Sequence, residues 1–243
     1  MGGAPRARTW LPSAGPLPSK AHVGPLPLDG HAPKARGRTT SAVAILARAP
    51  VPGRAKTRLT PPLTPQAAAR VARACLEQTL RRFPRAVDAP FTLFLEGEAD
   101  PALLDATRAA NVALASQGDG DLGARLAAAF SALRGDGAEI MVAIGADSPT
   151  LDPARITEAI AALEECDVVL GPAEDGGYYL VGVRGDRSGI FDGIPWSTGR
   201  TLEATLGRAR SLGYATRLLA PHYDIDDAAT LARAEAEGFT FEA

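Results

Sequence analysis

Ser41-Ala-Val-Ala-Ile-Leu-Ala47 is a short apolar run with the length of a buried strand, and the loop Arg48-Ala-Pro-Val-Pro-Gly-Arg-Ala-Lys-Thr-Arg-Leu59 follows it directly. Thr64-Pro65 then combines a capping residue with a proline at the first helical position. This predicts a helix over residues 64–83, which Pro84 ends. The same unit of strand, loop and helix is repeated along the rest of the chain.

Further apolar runs alternate with helix-starting signals. Strands are predicted at 91–95, 112–115, 140–144, 168–170, 178–183 and 215–219, and helices start near Asp100, Asp121, Asp152, Thr198 and Asp227. This alternation predicts a largely parallel sheet with helices on both faces. In such sheets the ligand lies beyond the carboxyl ends of the strands, so we expect the chemistry in the loops that follow strands. The third helix is predicted to bury Leu122, Leu126, Phe130 and Leu133.

Composition narrows the class of protein. The 243 residues are 46% hydrophobic and 22% charged, and the net charge of −2 combines +5 in residues 1–40 with −7 in the remainder. Residues 1–40, rich in Pro, Gly and Arg, are predicted to be a disordered extension, and residues 41–243 a single domain. No apolar run suits a membrane span or a signal peptide, and no basic field suits nucleic acid. The two cysteines, Cys75 and Cys166, indicate reduced thiols in a cytoplasmic protein.

The first loop carries four cations, Arg48, Arg54, Lys56 and Arg58, and is stiffened by two prolines beside Gly53. Lys56 is the only lysine in residues 41–243. A compact point charge in a cationic loop after the first strand favours a phosphate-binding site, although a solvated basic loop is the alternative. The spacing does not match a Walker A motif.

The third loop, Gly118-Asp-Gly-Asp-Leu-Gly123, matches the dinucleotide fingerprint literally. Asp119 and Asp121 would repel a pyrophosphate at the start of the helix, and the loop follows the third strand instead of the first. We therefore interpret the loop as a contact for a base or sugar. Asp121 is also a candidate helix cap, and Arg125 either reaches a phosphate or pairs with Asp121.

Acidic residues follow the fourth and the last strands. Asp147 comes directly after the apolar run 140–144, and the segment His222-Tyr-Asp-Ile-Asp-Asp227 follows the last strand. Asp224 and Asp226 point the same way if this segment is extended. Carboxylate oxygens suit Mg²⁺, so Asp147 with one of these two is a candidate metal site. The alternative is that Asp226 or Asp227 caps the last helix.

Two further loops carry candidate residues. In Gly171-Pro-Ala-Glu-Asp-Gly-Gly-Tyr-Tyr-Leu180, Glu174 and Asp175 precede a glycine pair that permits close backbone approach, although Asp-Gly is also an ordinary hairpin signal. Trp196 either stacks on a sugar or acceptor or anchors its loop to the core.

Five motifs together resemble one family: the first loop, Gln117-Gly-Asp-Gly-Asp-Leu-Gly-Ala-Arg125, Gly145-Ala-Asp-Ser-Pro-Thr-Leu151, the Glu174–Asp175 loop and Pro195-Trp-Ser-Thr198. They look like the GT-A-type glycosyltransferases associated with arsenosugar biosynthesis, which are similar in fold to 2-phospho-L-lactate guanylyltransferase and the molybdenum-cofactor nucleotidyltransferases. The resemblance implies a three-layer α/β/α nucleotide-diphospho-sugar transferase fold with a mostly parallel mixed sheet. It also implies that the cations of the first loop hold phosphates, that Asp147 with Asp224 or Asp226 holds Mg²⁺ or Mn²⁺, and that residues 117–121 face the nucleotide.

The predicted function is a metal-dependent transfer of a sugar from a nucleotide diphosphate sugar to a small acceptor, with Glu174 or Asp175 as general base and Lys56 as a further catalytic residue. Nucleotidyl transfer to a phosphorylated small molecule is the first alternative, and a nucleotide-binding module without turnover is the second. The residues predicted to bind the nucleotide or substrates are Arg48, Gly53, Arg54, Lys56, Arg58, Gln117, Gly118, Asp121, Arg125, Gly176, Gly177, Tyr178 and Trp196.

Overall fold

The structure of the protein is a computed structural model, which describes residues 40–241. The predicted extension therefore lies outside the described residues, except for Thr40.

Within residues 40–241 the chain forms seven strands, six helices and two short 3₁₀ turns. The strands are β1 (Ser41–Arg48), β2 (Phe91–Glu96), β3 (Ala113–Ser116), β4 (Ile140–Gly145), β5 (Val168–Pro172), β6 (Tyr178–Arg184) and β7 (Thr216–Leu218). The helices are α1 (Pro65–Ala86), α2 (Pro101–Ala109), α3 (Leu122–Gly135), α4 (Ala154–Ala162), α5 (Thr201–Ser211) and α6 (Ala228–Ala236), and the 3₁₀ turns are Thr57–Leu59 and Ser188–Phe191.

All seven strands belong to one sheet in the order β3-β2-β1-β4-β6-β5-β7. Strand β6 runs antiparallel to both of its neighbours, and every other pair is parallel. The predicted mostly parallel mixed sheet is therefore confirmed. The short connection from β5 to β6 explains the single reversal, because a parallel pair would need a crossover of a dozen or more residues.

The two faces of the sheet bury separate apolar clusters, as successive side chains of a strand point in opposite directions. Val43 and Ile45 of β1 pack in a cluster with side chains of α1, α2 and α4, whereas Ala42 and Ala44 face a cluster with side chains of α3 and α5. The result is the predicted three-layer arrangement of helices, sheet and helices.

A third cluster connects the first loop to the C-terminal part of the chain. Leu59 packs there with Cys75 of α1 and with Tyr223 and Ile225. The cluster therefore draws the first loop against the segment that contains Asp224 and Asp226. Both Cys75 and Cys166 are free thiols.

Helix starts follow their capping residues. The side chains of Thr64, Asp100, Asp121 and Asp227 accept hydrogen bonds from backbone N–H groups of the first turns of α1, α2, α3 and α6. Asp227 forms a full capping box with Thr230. Of the acids after β7, Asp227 is therefore the helix cap.

Three local predictions are wrong. Helix α1 continues past Pro84 to Ala86, since a proline this close to a helix end removes only one hydrogen bond from the final turn. Leu122 is 41% exposed because it stands at the loop end of α3, away from the cluster that buries the apolar side chains further along the helix. Thr198 does not cap α5, because its hydroxyl donates to the carbonyl of Pro195 in a turn and the helix starts only at Thr201.

No helix in residues 40–241 has the length and apolar character needed to cross a membrane.

Candidate functional site

The loops predicted to carry the chemistry lie at one edge of the sheet. The sheet order and the strand directions place the carboxyl ends of β1, β2, β3, β4, β5 and β7 and the amino end of β6 at this edge. We call it the carboxyl edge.

Backbone hydrogen bonds join the acidic loops at the carboxyl edge. The N–H of Ile225 donates to the carbonyl of Asp147 at 2.9 Å, and the N–H of Glu174 donates to the carbonyl of His222 at 3.0 Å. The hydroxyl of Ser148 donates to Oδ1 of Asp224. The segment 222–226 therefore lies between the Asp147 loop and the β5–β6 hairpin.

Two side chains of helix α1 hold the Asp147 loop in place through hydrogen bonds. Gln78 donates its side-chain amide to the carbonyl of Pro149 at 3.3 Å, and the guanidinium of Arg82 donates to the same carbonyl. Neither residue was identified in the sequence, because both belong to the polar positions of an amphipathic helix and no motif marks them.

Lys56 is buried among the acids instead of being exposed on the first loop. Its side chain is 5% exposed, and its Nζ lies 2.6 Å from Oδ1 of Asp147 and 3.3 Å from Oδ1 of Asp226. The same ammonium donates to the carbonyl of Ile225 at 2.5 Å. This geometry differs from the predicted phosphate ligand, because the protein's own acceptors already surround the ammonium.

Burial and the charges of this cluster shift the pKa values of Asp224 and Lys56. Burial raises the pKa of Asp224 to about 6, and the charges of Asp147 and Asp226 act in the same direction, against the hydrogen bond from Ser148. Burial by itself would lower the pKa of Lys56, but the carboxylates of Asp147 and Asp226 outweigh it and raise this pKa above its ordinary value. The carboxylates of Asp147, Asp224 and Asp226 are thus brought together, as the sequence predicted.

The oxygen donors of this cluster fit a hard divalent cation only in part. No group of three or more His, Cys, Asp or Glu side chains within residues 40–241 is arranged to enclose a metal ion. Asp226 is shared by Lys56 and Arg58, whereas the side chain of Asp147 is 53% exposed and Asp224 accepts the Ser148 hydroxyl through Oδ1. Asp147 and Asp224 each have a second oxygen beyond the one that Lys56 or Ser148 contacts, and carboxylate oxygens suit Mg²⁺ or Mn²⁺ that completes its shell with water and substrate phosphates.

A second ionic cluster joins the ends of β1 and β2 to α3. Arg48 and Glu96 are partners in the register of β1 and β2, and Arg48 Nε lies 3.1 Å from Glu96 Oε2. Arg125 Nη1 lies 2.6 Å from the same oxygen. Arg48 also donates to the carbonyl of Arg54, and Arg125 to that of Gly120, so Glu96 connects the first loop to the third.

Glu96 was missed in the sequence, although it directly follows the predicted second strand, the same signal that identified Asp147. Its two hydrogen-bonded arginines hold its pKa below the ordinary value, against the effect of burial. Arg125 was expected either to reach a phosphate or to pair with Asp121, and the carboxylate that it meets in the structure is that of Glu96.

Gly53, Arg54 and Arg58 of the first loop are exposed to solvent. Gly53 has a φ of +75°, which allows the loop to turn directly after Pro52. Arg54 is exposed, and the side chain of Arg58 is 65% exposed with Asp226 at 3.4 Å. A ligand can therefore reach these two arginines and also Arg48, whose side chain is 56% exposed although it pairs with Glu96.

Gln117 is the buried residue of the third loop. Its Nε2 donates to the carbonyls of Ala47 and Phe94 at 2.7 and 3.0 Å, which ties the ends of β1, β2 and β3 together. Gly118 and Gly120 follow it with φ values of +73° and +100°. The loop keeps backbone exposed beside the helix that Asp121 caps.

The β5–β6 hairpin separates the two candidate bases. Glu174 forms an ion pair in which both carboxylate oxygens lie 3.0–3.1 Å from Nη1 of Arg233. Asp175 is exposed, and its Oδ1 accepts the N–H of Gly177 at 2.9 Å. Gly176 has a φ of +87° and packs so closely against Gly199 that a Cβ there would overlap its carbonyl.

Trp196 packs as a loop anchor. Its indole covers Gly123 of α3 so closely that a Cβ on this glycine would lie 2.8 Å from Nε1. The ring of Tyr178 meets the indole edge-on at 6.3 Å, and Phe191 lies at the same distance. Of the two predicted roles, the structure therefore supports the anchor.

Comparisons with known proteins agree with this fold. Residues 79–198 match the sequence profile of a family described as "uncharacterized protein conserved in bacteria (DUF2064)". No protein of curated function matches the chain. A protein from Desulfovibrio desulfuricans G20, to which a nucleotide-diphospho-sugar transferase activity is ascribed, is 27% identical, with a TM-score of 0.72 over 82% of this chain and 88% of that chain.

Two further solved structures share the fold at lower identity. A 4-diphosphocytidyl-2C-methyl-D-erythritol synthase from Anaerococcus prevotii DSM 20548 is 12% identical, with a TM-score of 0.57 over 82% of this chain and 96% of that chain. A nucleotidyl transferase from Methanothermobacter is 15% identical, with a TM-score of 0.56 over 82% and 98%. The predicted nucleotide-diphospho-sugar transferase fold is thereby confirmed, whereas the arsenosugar resemblance stays a prediction.

Proposed function

We propose that this protein is a transferase that uses an activated nucleotide donor, and that it moves a sugar from a nucleotide diphosphate sugar to a small acceptor. The observation that carries the proposal is the arrangement at the carboxyl edge, where exposed cations of the first loop adjoin a cluster of three carboxylates. The ascribed activity of the Desulfovibrio protein supports the same class of donor.

The first loop and the acids would act on the leaving diphosphate. Arg48, Arg54 and Arg58 are reachable cations, and guanidinium groups bind phosphate oxygens well. Asp147 and Asp224 would hold Mg²⁺ or Mn²⁺, which supplies a positive charge to neutralise the negative charge that develops on the diphosphate. Asp226 is the weaker metal candidate, because Lys56 and Arg58 already pair with it.

Asp175 is the better of the two candidate general bases. Both oxygens of Glu174 accept hydrogen bonds from Arg233, so neither is free of a protein donor. Asp175 spends one oxygen on the N–H of Gly177 and leaves the other open to solvent. In the proposed reaction this second oxygen takes the proton from the acceptor hydroxyl as that hydroxyl attacks the sugar.

The similarity to the Desulfovibrio protein favours glycosyl transfer over nucleotidyl transfer. That protein, to which nucleotide-diphospho-sugar transfer is ascribed, is 27% identical with a TM-score of 0.72, whereas the two neighbours with other names are 12% and 15% identical. Nucleotidyl transfer to a phosphorylated acceptor stays the second candidate, because one solved neighbour is a nucleotidyl transferase by name and another is named as the synthase of a diphosphocytidyl compound.

A thermal-shift panel tests the donor class. The panel contains nucleoside triphosphates and nucleotide diphosphate sugars, each with and without Mg²⁺ or Mn²⁺. A ligand at a hundred times its Kd stabilises the folded protein by about 2.7 kcal/mol, which is a shift of roughly 5–10 °C for a domain of this size. A shift with a nucleotide sugar and none with triphosphates supports glycosyl transfer, and the absence of any shift contradicts both transferase proposals.

Product analysis separates the reactions and the role of Asp175. Glycosyl transfer releases a nucleoside diphosphate, nucleotidyl transfer releases pyrophosphate, and a binding module without turnover releases neither. Asp175→Asn should slow glycosyl transfer by about a hundredfold or more, the usual contribution of a general base. The same variant should leave nucleotidyl transfer nearly intact, because a phosphate acceptor is already ionised. Asp105→Asn, in an exposed ion pair of α2, is the matched control.

A further inference from the structure

Lys56 is the buried cation of the acidic cluster, and its contacts account for all of its hydrogen-bonding capacity. An ammonium group has three N–H donors, and three acceptors lie within reach: the carbonyl of Ile225 at 2.5 Å, Asp147 at 2.6 Å and Asp226 at 3.3 Å. At 5% exposure the side chain offers almost no surface to a ligand.

The backbone of Lys56 adopts an unfavourable conformation that directs the ammonium into the acidic cluster. Lys56 has a φ of +49° and a ψ of 43°, the left-handed conformation that side chains other than glycine rarely adopt. Such a conformation is unfavourable for a residue with a side chain and persists where the surroundings fix it. Ala55 and Leu59 on either side are buried, so the chain is anchored with the lysine directed into the acids.

We propose that Lys56 is the resident counter-ion of the acidic cluster and that a divalent cation must displace its ammonium from Asp147 in order to bind. This inference rests on the metal dependence of the proposed function. A metal ion bound to Asp147 would stand within a few ångströms of the ammonium, and like charges at that distance repel strongly in a partly buried site.

The counter-ion keeps the acids compatible with folding while no metal is bound. Without it, Asp147, Asp224 and Asp226 would be three neighbouring carboxylates with the exposed Arg58 beside them. Removing the ammonium should therefore destabilise the metal-free protein and make the cluster more attractive to a divalent cation. If Lys56 bound a phosphate of the nucleotide instead, the loss of its ammonium would have a different effect. Nucleotide binding would weaken, and the affinity for the metal alone would be unchanged.

Titration with Mn²⁺ alone, followed by the electron paramagnetic resonance signal of the free ion, tests the inference. Lys56→Met keeps most of the side-chain volume and removes the charge. We expect it to bind Mn²⁺ at least about tenfold more tightly than the wild type, a difference of about 1.4 kcal/mol. Lys56→Arg keeps the charge and should stay within about threefold of the wild type. Arg184→Met removes one positive charge at the opposite edge of the sheet, beside Glu139, and is the matched control.

A measurement on the wild-type protein covers the case in which Lys56→Met fails to fold. Reductive methylation, followed by mass spectrometry of peptides, reports the reactivity of Lys56, which should be slow without metal and rise as Mn²⁺ displaces the ammonium. Unchanged reactivity at the highest Mn²⁺ concentration overturns the inference, as does a folded Lys56→Met variant that binds Mn²⁺ no better than the wild type. If the wild type still binds nucleotide in the thermal-shift panel, such a result leaves the proposed transferase function intact.

Discussion

Replacing Asp224 by Asn should stabilise the protein at neutral pH and in the absence of metal. The pKa of Asp224 is raised from 3.8 to about 6, so the ionised carboxylate is less favourable in the folded state than in the unfolded chain. Each pKa unit corresponds to about 1.4 kcal/mol, which gives an unfavourable contribution of up to about 3 kcal/mol at pH 7. Asn has nearly the same shape, and its side-chain oxygen can still accept the hydroxyl of Ser148.

The sign of the pH dependence follows from the two pKa values. Below pH 3.8 the carboxyl of Asp224 is protonated in both states, so the wild type and the Asp224→Asn variant should be equally stable. The advantage of the variant should grow between pH 3.8 and about 6 and stay constant above that range. Urea unfolding in a chelating buffer at pH 4 and pH 7 measures both limits, and we expect a gain of about 2 kcal/mol at pH 7 only.

Two results would refute this reasoning. One is a variant that is no more stable than the wild type at pH 7, and the other is a gain of equal size at pH 4, which would show that the carboxylate charge is not the cause. Asp105→Asn, in a pair of side chains more than 70% exposed, should change the stability by less than about 0.5 kcal/mol. The wild type should recover the difference when Mn²⁺ is added, whereas Asp224→Asn should gain little from the metal.

Three other substitutions test the packing and the ionic clusters. Gly176→Ala should lower the free energy of unfolding in urea by about 2–3 kcal/mol, because the φ of Gly176 is positive and the new Cβ would overlap a backbone carbonyl. Gly207→Ala, in open space on α5, is the control and should be neutral or stabilising by up to about 1 kcal/mol. Glu96→Ala should weaken nucleotide binding in calorimetry by about tenfold, because the first and third loops lose their common partner, while Glu139→Ala at the opposite edge should leave binding unchanged. Asp100→Ala should lower the free energy of unfolding by about 1–2 kcal/mol at pH 7, and this loss should fade as the pH falls below 3.8. The reason is that hydrogen bonding to the first turn of α2 lowers the pKa of the Asp100 carboxyl in the folded state.

Local signals predicted most of the fold. The apolar run 41–47 became β1, and the predicted caps Thr64, Asp100 and Asp227 each start a helix where they were expected. These features depend on hydrogen bonds and apolar periodicity within a few residues, and the sequence displays both directly. The errors occurred at helix ends, where one lost hydrogen bond decides little and Pro84 could be accommodated.

The candidate site was predicted in its location but less well in its pairing. The rule that loops after strands share one edge of a parallel sheet brought Asp147 and Asp224 together without any knowledge of strand order. Glu96 belongs to no recognisable motif, although it stands at the end of a strand in the same way as Asp147. Lys56 was interpreted as a phosphate ligand because the sequence shows its charge and not its neighbours.

The sequence by itself therefore determined the elements of this protein, the edge that carries its polar loops and the charges available there. Only the tertiary structure decided which charges neutralise one another. Lys56 meets Asp147 and Asp226 because β1 lies beside β4 in the sheet and because Leu59 and Ile225 share one apolar cluster. An ion pair depends on distance in space, and the order of strands and the packing of the core set that distance independently of the separation along the chain.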